Sequence, residues 1–261
     1  AMLADGFYSR VPRPTAAVAL HVMPALPAGH IGVCPGYAWA NADILKIVVR
    51  GAGGHGAWPH LTRDPITLAA QLVLAFQTII GREIDPCEPA LISVGSIHGG
   101  TAFNIIPDEV ALTITVRTYS DAVRDQIIDA IRRTAAGLAR AAGFPEHLLP
   151  EIQLPPSVTK SIRNDPELTS RVACAARKIL GDERVADVKP EMGGEDFGLF
   201  GGAGQPIPLT MFRLGTTDPA VLARDGATQK LHSCKFAPLP EPTIKGGTKA
   251  MAAALISLMP V

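Results

Sequence analysis

The sequence predicts an α/β fold interrupted by an inserted domain, and three observations carry that expectation. Short apolar runs have strand character, two long stretches repeat apolar residues at helical spacing, and between Asp43 and Leu154 the order is strand, helix, strand, strand, helix, strand. That order is the split βαβ pattern of a ferredoxin-like (βαββαβ) sandwich. Residues 43–155 are expected to form the insert, and residues 1–42 and 156–261 the partial α/β domain around it.

The elements follow in order. Ala1 to Gly6 reads as the end of a helix closing on Gly6, so the chain is expected to begin inside an element and to be truncated at its N-terminus. Ala16 to Leu20 is a continuous apolar run, the pattern of a strand buried on both faces of a parallel sheet. His21 should then sit at that strand's carboxyl end, where α/β sheets place their chemistry; the alternative is a core histidine bonded to a backbone carbonyl. Leu26 to Gly36 reads as a connection with His30 exposed.

In the insert, Ile44 to Val49 is the first strand. Asp64 caps a helix with Pro65 at its first position and apolar residues at Ile66, Ala69, Leu72, Val73, Phe76 and Ile80, ending at Gly81. Leu91 to Ile97 and Val110 to Val116 are strands. In the second, Val110, Leu112, Ile114 and Val116 share one face, and Thr113, Thr115 and Arg117 the other. Ser120 caps a helix striped by Val123, Ile127, Ile131, Ala135 and Leu138, closing at Gly143, and Ile152 to Leu154 is the last strand. Beyond Pro155-Pro156, Pro166 opens a helix through Leu168, Val172, Ala176 and Ile179 to Gly181. Glu191 to Phe200 is an acidic loop, Leu209 to Leu214 a strand, and Gly247 to Leu258 a helix burying Met251, Leu255 and Leu258.

Composition narrows the function classes. The 24 basic residues balance the 24 acidic ones, leaving no field to attract nucleic acid or an anionic membrane. No apolar run approaches the roughly 18 to 20 residues of a membrane span. Cys34, Cys87, Cys174 and Cys234 form no C-x-x-C pair, so free thiols in a cytoplasmic protein are expected.

The chemistry-bearing stretch is Gly51 to His60, GAGGHGAWPH. Glycines and a proline around His55 hold backbone open for its ring, unless it is simply a surface histidine on a turn. It is not a phosphate loop, because Trp58-Pro59 stands where a helix would have to begin. His21, His55 and His232, with the carboxylates Glu191, Glu195 and Asp196, have the donor chemistry of a metal site. No G-x-S-x-G elbow supports a serine hydrolase.

These residues lie in motifs that together resemble one family: LHVMP at Leu20 to Pro24, GGHGAWPH at Gly53 to His60, and Asp64-Pro65. SVGSIHGGTAFNIIPDEV at Ser93 to Val110, TVRT at Thr115 to Thr118, MGGEDF at Met192 to Phe197 and LHSCKF at Leu231 to Phe236 continue the match in order. The chain resembles the metal-dependent amidohydrolases and aminoacylases that include hippurate hydrolase, N-acyl-amino-acid hydrolases and auxin-conjugate hydrolases.

The resemblance implies a catalytic α/β domain interrupted by a lid through which the chain forms a homodimer. It implies hydrolysis of the amide bond in N-acyl or N-aroyl amino acids, with two divalent metals (zinc, manganese, cobalt or nickel) as cofactors. It places His21 and His232 among the metal ligands, and His55 at the oxyanion, acting in trans. Asn104 and Arg117 would place the substrate carboxylate, as a guanidinium fork suits it. Glu195 and Asp196 would orient ligands from behind, or merely cap the next turn. The family's HACGHD stretch and Glu-Glu pair do not occur in this sequence. The chain alone is therefore expected to bind metal weakly and not to hydrolyse amides, and the alternative is a non-catalytic dimerising module.

Overall fold

The computed structural model describes residues 2–3, 5–155, 159–202, 206–226 and 230–259. In chain order the first elements are α1 (Phe7–Arg10), β1 (Ala17–Pro27), β2 (Ile31–Val33) and β3 (Gly36–Trp39). Next come β4 (Asn41–Arg50), β5 (Gly54–His55), α2 (Pro65–Arg82), β6 (Ala90–Gly99), β7 (Ile105–Ile106), β8 (Glu109–Thr118), α3 (Asp121–Ala141) and β9 (Glu151–Gln153). The chain ends with β10 (Ile162–Asn164), α4 (Pro166–Leu180), β11 (Val185–Asp187), β12 (Leu209–Thr217), α5 (Pro219–Asp225) and α6 (Pro240–Leu258). Two compact units result: Ala1–Trp39, Ile162–Glu191 and Glu195–Val261 in one, Ala40–Ser161 with Met192–Gly194 in the other. Of the expected boundary, Pro156 lies outside the described residues, as do Ala1 and Ala4 of the opening stretch.

The second unit is the ferredoxin-like lid. Its antiparallel sheet runs β6-β8-β4-β9, so the first and third of its strands are central, and α2 and α3 cover one face. Alternation along β8 buries Val110, Leu112, Ile114 and Val116 against Leu45, Ile47, Leu72, Phe76, Ile127 and Ile131. Each such side chain contributes about 1.5–3 kcal/mol on burial.

The capping residues act as their sequence positions foretold. Asp64 accepts from the amides of Ile66 and Thr67, and Ser120 from that of Val123. Asp43 faces the helices among the apolar residues of β4. Two bonds from Arg124 on α3, of 2.6 and 2.8 Å, satisfy it, and its hydrogen bonds push the guanidinium pKa up.

Helices α2 and α6 run beyond their expected bounds. α2 continues past Gly81 to Arg82, with Ile66 exposed and Leu68 and Ile79 buried instead. At 18 residues it is long and apolar enough to cross a membrane, which amends the expectation that no run approaches that length; its buried side chains belong to the lid core.

In the first unit a mixed sheet runs β1-β12-β2-β11. β12 is buried along its whole length, parallel to β1 and antiparallel to β2. α4 and α6 pack on this sheet through Val172, Ala176, Ala250 and Ala254.

Four expectations are corrected here. Gly6, at φ 75°, precedes the short helix α1 and does not close one. β1 continues to Pro27, so His21 is mid-strand; among the described residues β1 is a sheet edge, where Pro24 interrupts no ladder. The connection after it contains β2, and His30 is half-buried, its Nδ1 wholly so. α6 begins at Pro240, and its small residues Gly246, Gly247, Ala250 and Ala254 face inward while Leu255 is 51% exposed. Close approach explains the last: a Cβ on Gly246 would stand 2.6 Å from Gly29, so the helix seats through its smallest residues.

Candidate active site

In the first unit the site is built on β1. The register sets His21 opposite Arg213 of β12. His21 Nδ1 lies 2.7 Å from the carbonyl oxygen of Val22. A carbonyl only accepts, so Nδ1 carries the proton and Nε2 keeps its lone pair. Nε2 faces Glu195, whose Oε2 is 3.8 Å away, a pairing that is favourable only with a proton or a cation between the two.

Glu195 caps the next turn, one of the two roles the sequence allowed. Oε1 accepts from the amide of Asp196 at 2.9 Å and caps the 3-10 turn Asp196–Gly201, while Oε2 faces the imidazole. Asp196 is exposed and opens that turn.

Behind His21 stands an aromatic and cationic support that the motif reading did not single out. The Trp39 ring lies 5.0 Å from the imidazole, and the Arg213 guanidinium lies 5.0 Å from the Trp39 ring. Arg213 is buried, donates to the carbonyls of Lys189 and Ala38, and has Glu191 at 3.6 Å. The available signal was a lone arginine inside the apolar run LTMFRLG, since a buried charge must have partners. Nearby, burial pushes the Cys34 thiol pKa up, with Arg213 opposing and Asp187 and Glu191 adding to it.

His232 occupies an exposed turn at φ 63°. Among the described residues no ion pair or hydrogen bond joins it to His21, Glu195 or Asp196, and no three His, Cys, Asp or Glu converge as a metal site would require. One imidazole and one carboxylate fit part of a metal centre; they do not make one.

The lid carries its own group. β5 and β7 form a two-stranded ribbon pairing His55 with Ile105, and the amide of Gly56 donates to the Asn104 carbonyl at 2.8 Å. His55 and Asn104 are thus brought together. The amide of Ala57 donates to His55 Nδ1 at 3.1 Å, so in the neutral ring Nε2 carries the proton. The exposed ring leans on Trp58 at 4.9 Å.

Arg117 points away from the helices, as the alternation predicted, and its Nε bonds Thr115 Oγ1. Its guanidinium lies over Gly194. A Cβ there would meet the Ala42 Cβ at 2.6 Å and Nη1 at 2.7 Å, so the second glycine of MGGEDF is required chiefly by Ala42, since the guanidinium end can swing aside. His60 and His98 are exposed and bring no further donor to either group.

The comparisons extend this picture. Residues 36–142 match the peptidase dimerisation domain of the M20 family. The chain is 34% identical over 244 residues to an N-acetyldiaminopimelate deacetylase of Leuconostoc citreum, a match covering 94% of this chain and 58% of the relative. It is 35% identical over 240 residues to thermostable carboxypeptidase 1 of Saccharolobus solfataricus, covering 92% and 56%. The crystal structure of the Bacillus subtilis YXEP protein, a dinuclear metal binding peptidase from the M20 family, superposes with a TM-score of 0.71 at 26% identity, over 98% of this chain and 60% of that one. The chain thus spans less than two thirds of each of these relatives.

Proposed function

The chain belongs to the M20 family of metal-dependent amidohydrolases, and from that premise we propose that it hydrolyses the amide bond of N-acyl amino acids as part of a dinuclear metal enzyme. One observation carries the reading: the two candidate histidines are held in opposite tautomers. His21 offers a lone pair at Nε2, which suits a metal. His55 offers an N–H at Nε2, which suits an oxyanion.

In this reading His21 and His232 are ligands to zinc, manganese, cobalt or nickel, together with further donors. Bound metal would polarise the scissile carbonyl and supply an activated water. Glu195, whose carboxylate faces Nε2, would help hold a cation bound there, and Asp196 opens the turn that fixes Glu195. Arg117 and Asn104 bind the substrate carboxylate; Gly194 leaves the guanidinium room to lie flat. The lid forms a homodimer, and His55 serves the partner's site. The substrates are N-acetylated or N-aroylated amino acids, N-acetyldiaminopimelate and hippurate among them, and the setting is cytoplasmic.

Hydrolysis of N-acetyldiaminopimelate, hippurate and other N-acyl amino acids, with and without chelator, tests the reading on the protein carrying its full donor set. His55→Ala should cost about 10²–10³ in kcat, as loss of an oxyanion donor does. Chelator-insensitive activity, or a His55→Ala variant as fast as the parent, would contradict it.

A second reading is favoured by the lack of a three-donor group among the described residues: a dimerising module without catalysis. A dimer that binds N-acyl amino acids and never turns them over supports that reading.

A further inference from the structure

An imidazole that donates to an oxyanion needs more than the right tautomer: its plane must be held. At His55 the neighbours Gly54 and Gly56 carry no side chains to wedge the ring. It can turn about two side-chain bonds, and each orientation carries Nε2 to a different point. The hydrogen bond from the Ala57 amide to Nδ1, at 3.1 Å, ties one edge. A tie at one atom is a pivot about which the plane can still rock.

Trp58 supplies the second contact. Its ring centroid lies 4.9 Å from that of His55, with the two planes tilted by 32°. That spacing and tilt suit an offset, nearly parallel aromatic pair. The Trp58 amide donates to the His55 carbonyl at 2.9 Å, a turn that brings the indole back to the imidazole. The backbone beyond is tied as well. Pro59 opens the 3-10 turn Pro59–Leu61, and its carbonyl accepts from the amide of Thr62 at 3.0 Å and from the Thr62 hydroxyl at 2.8 Å. Thr62 is itself buried. The indole is thus mounted on fixed backbone, and the imidazole rests on it. Among the described residues Trp58 has no place in the lid's apolar core, so packing of the lid does not account for it.

The two contacts act on different freedoms. The bond at Nδ1 selects which edge of the ring faces the ribbon, and the indole face sets the plane. Together they leave the Nε2 proton one direction.

We infer that Trp58 is a positioning residue for the amide hydrolysis, acting through His55 by holding the imidazole plane so that Nε2–H meets the oxyanion. The inference rests on the reading of His55 as the oxyanion donor. A donor aimed at developing charge strengthens in the transition state and does little for the bound substrate, so losing its aim lowers kcat and spares KM.

Trp58→Leu keeps apolar bulk without a flat face, and Trp58→Phe restores the face. In the protein carrying its full donor set, Trp58→Leu should lower kcat about three- to tenfold with KM unchanged, and Trp58→Phe should recover most of the loss. In a His55→Ala background Trp58→Leu should cost nothing more, because a residue acting only through His55 has nothing left to hold. A raised KM, a further loss in the His55→Ala background, or Trp58→Leu as fast as the parent beside a slow His55→Ala would each overturn the inference. A second readout needs no turnover. Hydrogen exchange of the Ala57 amide, slowed by its bond to Nδ1, should quicken several-fold in Trp58→Leu and not in Trp58→Phe; unchanged exchange in Trp58→Leu would overturn the inference. Should His55→Ala prove as fast as the parent, the oxyanion reading falls, and the Ala57 exchange still decides whether Trp58 holds the ring.

Discussion

The two units differ in how completely they satisfy themselves. The lid has one continuous core shared by three of its strands and both of its long helices, and its one buried carboxylate, Asp43, is met twice by Arg124. The first unit divides its apolar residues between two smaller clusters and leaves the edge of β1 open among the described residues. The buried side-chain atoms without a hydrogen-bond partner among the described residues, His30 Nδ1, Trp39 Nε1 and Thr216 Oγ1, all lie there. Among the described residues the lid holds no such atom.

The largest effect that would break this contrast is at Asp43. Asp43→Ala removes the Nε and Nη2 partners of the largely buried Arg124 guanidinium, leaving it Asp125 at Nη1, and should cost the lid about 3 kcal/mol. Hydrogen exchange should then rise in β4 and β8 and stay unchanged in β12. Equal loosening of β12 would show that the units do not fold independently.

Gly194→Ala should cost about 1–3 kcal/mol, because Ala42 and Arg117 must both give way to the new methyl. Urea denaturation measures it, and an unchanged midpoint would remove Gly194 from the account of Arg117.

A matched pair sharpens the comparison directly. Thr118 Oγ1 in the lid accepts from Asn41 and donates to Ser120, whereas Thr216 Oγ1 is buried with no partner. Thr118→Val should therefore destabilise by about 1 kcal/mol and Thr216→Val stabilise by a similar amount. Shifts of the same sign in thermal melts would contradict the difference between the units.

The smallest effect leaves stability untouched. Burial raises the Cys34 thiol pKa, so at a given mildly alkaline pH its thiolate fraction is lower than that of an ordinary thiol. Alkylation of Cys34 should lag behind Cys87 and catch up only as pH rises further; equal rates would contradict the burial.

The same contrast explains what the sequence reveals. Helices α2 and α3 and strand β8 were legible because half-burial imposes a period on them, and Asp64, Pro65 and Ser120 mark their starts. β2 and β11, three residues each, have too few positions to show any period. The apolar run stops at Leu20, whereas β1 continues through His21 to Pro27, with Pro24 harmless on what is an edge among the described residues. α6 was misread because small residues, not large ones, make its buried face.

At the site, residue types and their settings suggested His21, His55, His232, Glu191, Glu195 and Asp196, and the family resemblance added Asn104 and Arg117. They did not single out Trp39, whose ring reaches the imidazole only in the fold, and for Arg213 the lone charge in LTMFRLG was the signal passed over. Nor could spacing assign the histidine tautomers, which depend on the Val22 carbonyl and the Ala57 amide.

Those tautomers are the centre of the account, and nitrogen NMR of the isotopically labelled histidines tests them most directly. At neutral or higher pH the neutral His21 ring should carry its proton on Nδ1 and the neutral His55 ring on Nε2. The reverse assignment at either ring, or an equal tautomer mixture at both, would contradict the account.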